Sequence, residues 1–150
     1  VLYFLLSAVL IIIDQITKYW AIHTLMGNPA VTVIPHFIGF RYIENTGAAF
    51  SLLSGKQLTL ILVTFVILGA VFGLLFRAVK SGEHWVVCLS YSMIVAGAIG
   101  NFIDRVRFNY VVDFLEFKFI NFPIFNVADI AIVGGVILLA FATLFLDYNL

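Results

Sequence analysis

A bundle of four membrane-spanning helices with a small sheet resting on one rim is the fold this sequence predicts. Three observations lead there. Of 150 residues, 63% are apolar and 11% charged, against roughly 25% charged in an average soluble domain, and the mean hydropathy is +1.14. Four apolar runs approach the length of about 20 residues that a spanning helix needs. Two longer segments between them carry aromatic and β-branched residues. So few charges cannot cover a water-soluble globule, and a disordered chain would be polar.

The first run, Val1 to Ile13, continues as a helix through Asp14, Lys18 and Trp20, so the span covers about residues 1–24. The second (Leu58–Phe76) and third (Trp85–Ile103) hold no charge, and the fourth, Ile130–Leu146, gives a span over about 128–146. Backbone groups in lipid must pair within their own segment, so these runs are helices. Small residues four apart occur in three of them: Gly69 and Gly73, Ala96 and Gly100, Ala131 and Gly135. Such pairs let helices approach closely, or they reflect the general abundance of glycine in spanning helices.

Segment 27–57 contains Phe37, Phe40, Tyr42 and Ile43, broken by Pro35 and Gly39. It reads as short strands or an interfacial loop. Arg77 to His84, with Ser81-Gly82, is a short turn. Segment 104–126 contains Tyr110–Phe119, which reads as a strand with Asp113 near its start. Four spans place both termini on one side and both long segments on the other. Residues 1–150 form a single membrane domain without repeats.

The formal charge is zero, and no basic patch points to nucleic acid. The single cysteine, Cys88, lies in an apolar run and reads as a packing residue. The chain begins at Val1, so no targeting signal is read from its first residues.

Polar residues at membrane depth are costly and mark function. Here Asp14, Lys18, Asn45, Asn101, Asp104, Arg105, Asp113, Asn126 and Asp129 all stand at the loop-side ends of the runs and converge on one layer. Asp14 and Lys18, four apart, share a helix face; they form a structural ion pair with Lys18 reaching to the headgroups, or take a direct part in the site. Arg105 is placed to brace a carboxylate with its bidentate fork, or is simply a polar helix end. Asn45-Thr46-Gly47 is a turn, or binds an extended substrate. Asn126 and Asp129 resemble a capping box, and an acid in a first helical turn suits the helix dipole.

Asp113 is a second acid on the same side, in a different element. Two such carboxylates can share one proton: one takes a proton from water while the other donates to a scissile carbonyl, and like charge holds one pKa high. Other hydrolytic chemistries fit less well. There is no His-Glu-x-x-His helix, only His23, His36 and His84 exist, and no Gly-x-Ser-x-Gly elbow occurs. No metal or cofactor is expected. Two other classes remain: a small transporter or channel subunit whose carboxylates relay protons, and a non-catalytic assembly factor in which they are caps and ion pairs.

Five blocks, in order, resemble the signatures of the bacterial lipoprotein signal peptidases (signal peptidase II). They are Asp14-Gln15-Ile16-Thr17-Lys18, Asn45-Thr46-Gly47-Ala48-Ala49-Phe50, Gly97-Ala98-Ile99-Gly100-Asn101-Phe102-Ile103-Asp104-Arg105, Val111-Val112-Asp113-Phe114 and Phe125-Asn126-Val127-Ala128-Asp129. The resemblance implies an aspartic endopeptidase of the bacterial plasma (inner) membrane. It would remove the signal peptide of prolipoproteins by cleaving before a diacylglyceryl-modified cysteine. The implied catalytic pair is Asp113 and Asp129, supported by Asp14, Lys18, Asn45, Gly47, Asn101, Arg105 and Asn126. Also implied are a small extracytoplasmic β-cradle, a short interfacial helix, cytoplasmic termini, a monomer among membrane lipids, and inhibition by globomycin-type cyclic peptides. Lysine and arginine counts alone (Arg77 and Lys80 against Arg41, Lys56, Arg105, Arg107 and Lys118) would put the loop side in the cytoplasm; the resemblance implies the opposite. The family often has glycine just before Val-Val-Asp. Here Asn109-Tyr110 precedes it, and asparagine also takes positive φ.

Overall fold

The computed structural model describes residues 1–47, 56–146 and 148. Its elements are α1 (Leu2–Leu25), β1 (Val31–Ile34), β2 (Ile38–Asn45), α2 (Gln57–Ser81), α3 (Trp85–Phe108), β3 (Val111–Phe117) and α4 (Val127–Phe145). All four helices are long and apolar enough to cross a membrane. The expected interfacial helix has no counterpart among the described residues, and Ala48, Ala49 and Phe50 of the second block lie outside them.

Two helices run past the ends expected of them. The segment from Arg77 is helical as far as Ser81, and Gly82, with φ 69°, closes α2 in the left-handed conformation that only glycine adopts without cost. Helix α3 passes Ile103 and carries Asp104 to Arg107 on its last turns. It ends at Asn109, whose φ of 63° meets the expectation of positive φ there. The physical reason is the same in both cases: charge marks where a helix leaves lipid, while a left-handed cap marks where it stops.

Helix α3 is the central post. In its spanning stretch 61% of residues are buried, against 22% in α1 and α4 and 11% in α2. The close approaches depend on absent side chains. A Cβ on Gly97 would overlap the carbonyl of Ala128, and one on Gly100 would lie 2.5 Å from Asp14 Oδ2. On α4 a Cβ at Gly135 would sit 2.7 Å from the Ser90 carbonyl oxygen. A Cβ on Gly69 or Gly73 of α2, in contrast, would have no neighbour within 4 Å among the described residues, so their spacing serves no packing there.

The three strands form an antiparallel sheet in the order β1-β2-β3. Register places Asn45 opposite Val111, Ile43 opposite Asp113 and Ile38 opposite Phe117, with an irregularity between Phe40 and Ile43. The sheet rests on the end of α1. Ala21 and Leu25 pack against Val112 and Phe114, and Trp20 meets the rings of Phe40 and Phe114 edge-on at 5.1 and 6.0 Å. A second apolar cluster joins α2, α3 and α4 through Leu75, Val87, Tyr91, Val95 and Ala142. The buried polar layer includes Asp14, Lys18, Asn101, Asp104, Asp113 and Asn126.

Candidate active site

Helix α1 buries one stripe: Ser7, Asp14, Lys18, Ala21 and Leu25. Spacings of three, four and seven put them on a single face, which delivers Asp14 and Lys18 to the interior. Strand β3 is at the edge of its sheet, so half of its N–H groups find no strand partner. The N–H of Phe114 and that of Leu115 both donate to the Phe125 carbonyl, at 3.0 and 2.8 Å. That pairing returns the chain along β3 and sets Asn126 beside Asp113.

Asn126 joins the two acids. Its Oδ1 accepts from the Asp129 N–H at 2.9 Å, while its own N–H donates to Asp129 Oδ2 at 3.2 Å. This is the capping box expected at the entry of α4. With its oxygen committed to the helix, the amide turns Nδ2 outward, where it donates to Asp113 Oδ1 at 2.7 Å. Asn45, at the end of β2, donates from Nδ2 to the other oxygen of Asp113 at 2.9 Å.

The orientation of Asn101 follows by the same reasoning. An ammonium can only donate, and Lys18 Nζ lies 3.0 Å from Asn101 Oδ1. The Asn101 Nδ2 therefore faces Asp129, donating to Oδ1 at 2.8 Å. Each acid thus accepts from the side chain of an asparagine whose orientation is fixed elsewhere. Asp113 is 2% exposed and Asn126 fully buried. Burial, and then the charge of Asp129, push the Asp113 carboxyl up to about 7, against the hydrogen bonds from Asn45 and Asn126.

Beneath these acids lies a charged hub. Lys18 Nζ is 3.0 Å from both Asp14 Oδ2 and Asp104 Oδ2. Sequence reasoning gives Asp104 no role beyond membership of the polar layer, and gives Gln15 none. Yet Gln15 Nε2 bonds Asp104 Oδ1 at 3.1 Å and Asp14 Oδ2 at 3.2 Å. The signal available was the spacing: Asp104 follows Asn101 by three residues, and so shares its helix face.

Arg105 corrects an expectation. Among the described residues its guanidinium forks onto no carboxylate. It donates from Nη1 to the Asn101 carbonyl at 3.4 Å and from Nη2 to the Gly47 carbonyl at 3.3 Å, and Nε has no hydrogen-bond partner among the described residues. The reason lies in the turn after β2. Gly47 N–H closes on Asn45 Oδ1 at 3.0 Å, which aims the Gly47 carbonyl at α3. Gln57 Nε2 donates to the Thr46 carbonyl beside it. Arg105 therefore ties a turn to a helix.

The structure brings all nine positions inferred from the sequence into one connected layer: Asp14, Lys18, Asn45, Gly47, Asn101, Arg105, Asp113, Asn126 and Asp129. An open hollow of about 570 Å³ on the sheet, lined by residues such as Arg41, Glu116 and Lys118, includes none of them. Among the described residues, no three His, Cys, Asp or Glu gather so as to hold a metal ion.

A bundle of spanning helices with an acid pair bridged by asparagine, one acid buried and the other partly exposed, defines a class of membrane protein, and comparison with known proteins narrows it. Residues 6–145 match the model of the family described as Signal peptidase (SPase) II. The chain is 45% identical over 147 residues to the lipoprotein signal peptidase of Enterococcus faecalis, covering 98% of this chain and 89% of that one. It is 46% identical over 139 residues to that of Caldanaerobacter subterraneus subsp. tengcongensis, covering 92% of each. A bacterial membrane enzyme structure determined by the in meso method at 1.9 Å resolution superposes with a TM-score of 0.84 at 37% identity, covering 95% of this chain and 92% of that one. The chain belongs to the signal peptidase II family, a family of membrane proteases.

Proposed function

We propose that this protein removes the signal peptide from prolipoproteins, cutting before a diacylglyceryl-modified cysteine, with Asp113 and Asp129 acting on one water molecule. The observation that carries the reading is the bridge of Asn126 between the two acids, together with the raised Asp113 carboxyl. At neutral pH such a pair holds one proton. Asp113, the more buried acid, carries it and donates to the scissile carbonyl oxygen. Asp129 takes a proton from the water, whose oxygen attacks the carbonyl carbon. The tetrahedral diol then collapses: the C–N bond breaks, the amine of the cysteine leaves with the proton held by Asp129, and the diol returns a proton to Asp113. Both carboxyls end as they began.

In this reading the site faces the extracytoplasmic side of the bacterial plasma membrane. The charge count points the other way, but two loop-side cations are already engaged. Arg105 is 9% exposed, and Arg41 pairs with Glu116 at 2.8 Å. A monomer suffices, since every group invoked comes from one chain. A globomycin-type cyclic peptide would compete for the same acids.

Substrate reaches this layer from the lipid. The diacylglyceryl group acts as a depth gauge, each buried methylene anchoring it by about 0.8 kcal/mol. β2 and β3 clamp the extended peptide above the acids, beside the close backbone approach that Gly47 permits. The test is cleavage of a diacylglyceryl-cysteine prolipoprotein in detergent against the same peptide with unmodified cysteine. The lipidated peptide is expected to be cut far faster. Equal rates at matched micelle partitioning would remove the lipid from the account, and inhibition by a chelator that zinc reverses would replace the acid pair with a metal.

A further inference from the structure

Two main-chain N–H groups are the starting point. Val112 immediately precedes Asp113, and its N–H donates to Asp104 Oδ2 at 3.0 Å. Ala128 immediately precedes Asp129, and its N–H donates to Asp14 Oδ1 at 2.9 Å. Neither donor has a partner in its own element: one points out of an edge strand, and the other is among the first N–H groups of a helix. The two gripping carboxylates come from different helices, and the same two side chains lock them together. Lys18 Nζ is 3.0 Å from each. Gln15 Nε2 is 3.2 Å from Asp14 Oδ2 and 3.1 Å from Asp104 Oδ1.

We propose that Asp14, Gln15, Lys18 and Asp104 form a yoke that sets the separation of Asp113 and Asp129, acting as positioning residues. The inference rests on the acid-pair reading above. Asp113 lies on a strand and Asp129 on a helix, and beside the Asn126 bridge a second reference fixes the backbones that carry them. The yoke supplies it one residue upstream of each acid. Asp14, Lys18 and Asp104 are 1%, 2% and 1% exposed, so no water competes for their contacts. Stability alone does not explain such a triad, since well-packed apolar residues often stabilise a core equally well. A pair that shares one proton does require fixed geometry, and misplacement by an ångström can cost about 100-fold in rate. Gly100 completes the arrangement. Its carbonyl accepts from Gln15 at 3.3 Å, and a side chain there would push Asp14 off the Ala128 N–H.

The test measures kcat and KM separately, using the full chain in lipid-supplemented detergent and a diacylglyceryl-cysteine peptide. Asp104→Glu keeps the charge but lengthens the reach by one methylene; kcat is expected to fall about 100-fold with KM nearly unchanged. Asp104→Asn keeps the reach and an acceptor for Val112 but loses the charge, and should lose less. A role through charge alone gives the reverse order and overturns the proposal. Gln15→Met cuts one cross-link and leaves every charge in place, so it folds even if Asp104→Glu does not. A lower kcat at unchanged KM is expected, and wild-type kcat in Gln15→Met would overturn the proposal. Asp113→Asn and Asp129→Asn are the controls. Turnover by either defeats the acid-pair reading itself; inactivity of both, beside wild-type turnover by Gln15→Met, defeats only the yoke.

Discussion

Helices α2 and α3 are near twins in length, 25 and 24 residues, and each carries small residues at four-residue spacing. Yet α2 is the more apolar of the two, and 11% of its spanning stretch is buried, against 61% for α3. In water the more apolar helix would be the more buried. Here lipid is the apolar solvent, so high hydropathy marks the helix that faces it. The glycines divide in the same way: a Cβ on those of α3 would meet Ala128 and Asp14, while one on those of α2 would meet nothing within 4 Å among the described residues. In this chain the helix richer in polar residues is the core, and the polar residues are the site.

The most severe way to probe that contrast is to add side chains. Gly97→Val or Gly100→Val should cost at least about 1–3 kcal/mol through overpacking and leave little active protein. Gly69→Val and Gly73→Val in α2 should leave the thermal midpoint within a degree or two, as expected of surface changes. Thermal unfolding in detergent checks both pairs. Comparable losses in the two helices would mean that α2 is packed against something in the membrane.

Next in size is Asn126→Ala. Loss of an N-cap costs about 1 kcal/mol, and Asp113, which keeps Asn45 but loses one of its two amide donors, adds about 0.5–1.5 kcal/mol. Turnover per folded molecule should fall as well, because the same amide orients Asp113. If only stability falls, Asn126 is a cap and nothing more.

Arg105→Lys should have a smaller effect, about 1–2 kcal/mol, because a single ammonium cannot reach both the Asn101 and Gly47 carbonyls that two guanidinium nitrogens reach. An unchanged thermal midpoint would show that the tie to the turn contributes nothing.

The last effect is spread over a pH window rather than set by one substitution. Asp113 titrates near 7 in the folded protein and near 4 when unfolded. Between those values the unfolded chain has released a proton that the folded one retains. Stability from this group is therefore complete below about pH 4 and declines until about pH 7. Unfolding midpoints across that window should fall in the wild type and fall less in Asp113→Asn. Parallel profiles would assign the drift to another group.

Much of this was legible in the sequence because it rests on local spacing. The apolar runs gave the helices, the four-residue interval gave the Asp14–Lys18 pair, and Asn126 with Asp129 gave the capping box. What escaped was long-range or finely balanced. Arg105 turned to a carbonyl 58 positions away, which no local pattern encodes. Gln15 gained its role only when α1 met α3. Strand β1, four residues beside Pro35, is too short for periodicity to separate it from loop. The helix ends beyond Phe76 and Ile103 were hidden because charge marks the end of an apolar run and not the end of a helix.

The measurement that bears most directly on the central claim is single-turnover cleavage of a diacylglyceryl-cysteine peptide by Asp113→Asn and Asp129→Asn, each first shown to be folded by its unfolding transition. Residues that act as a unit fail as a unit, so each variant should lose essentially all cleavage, and the double variant should lose no more than either alone. A folded single variant that still cleaves at a rate near the wild type would contradict the claim that these two carboxyls share the chemistry.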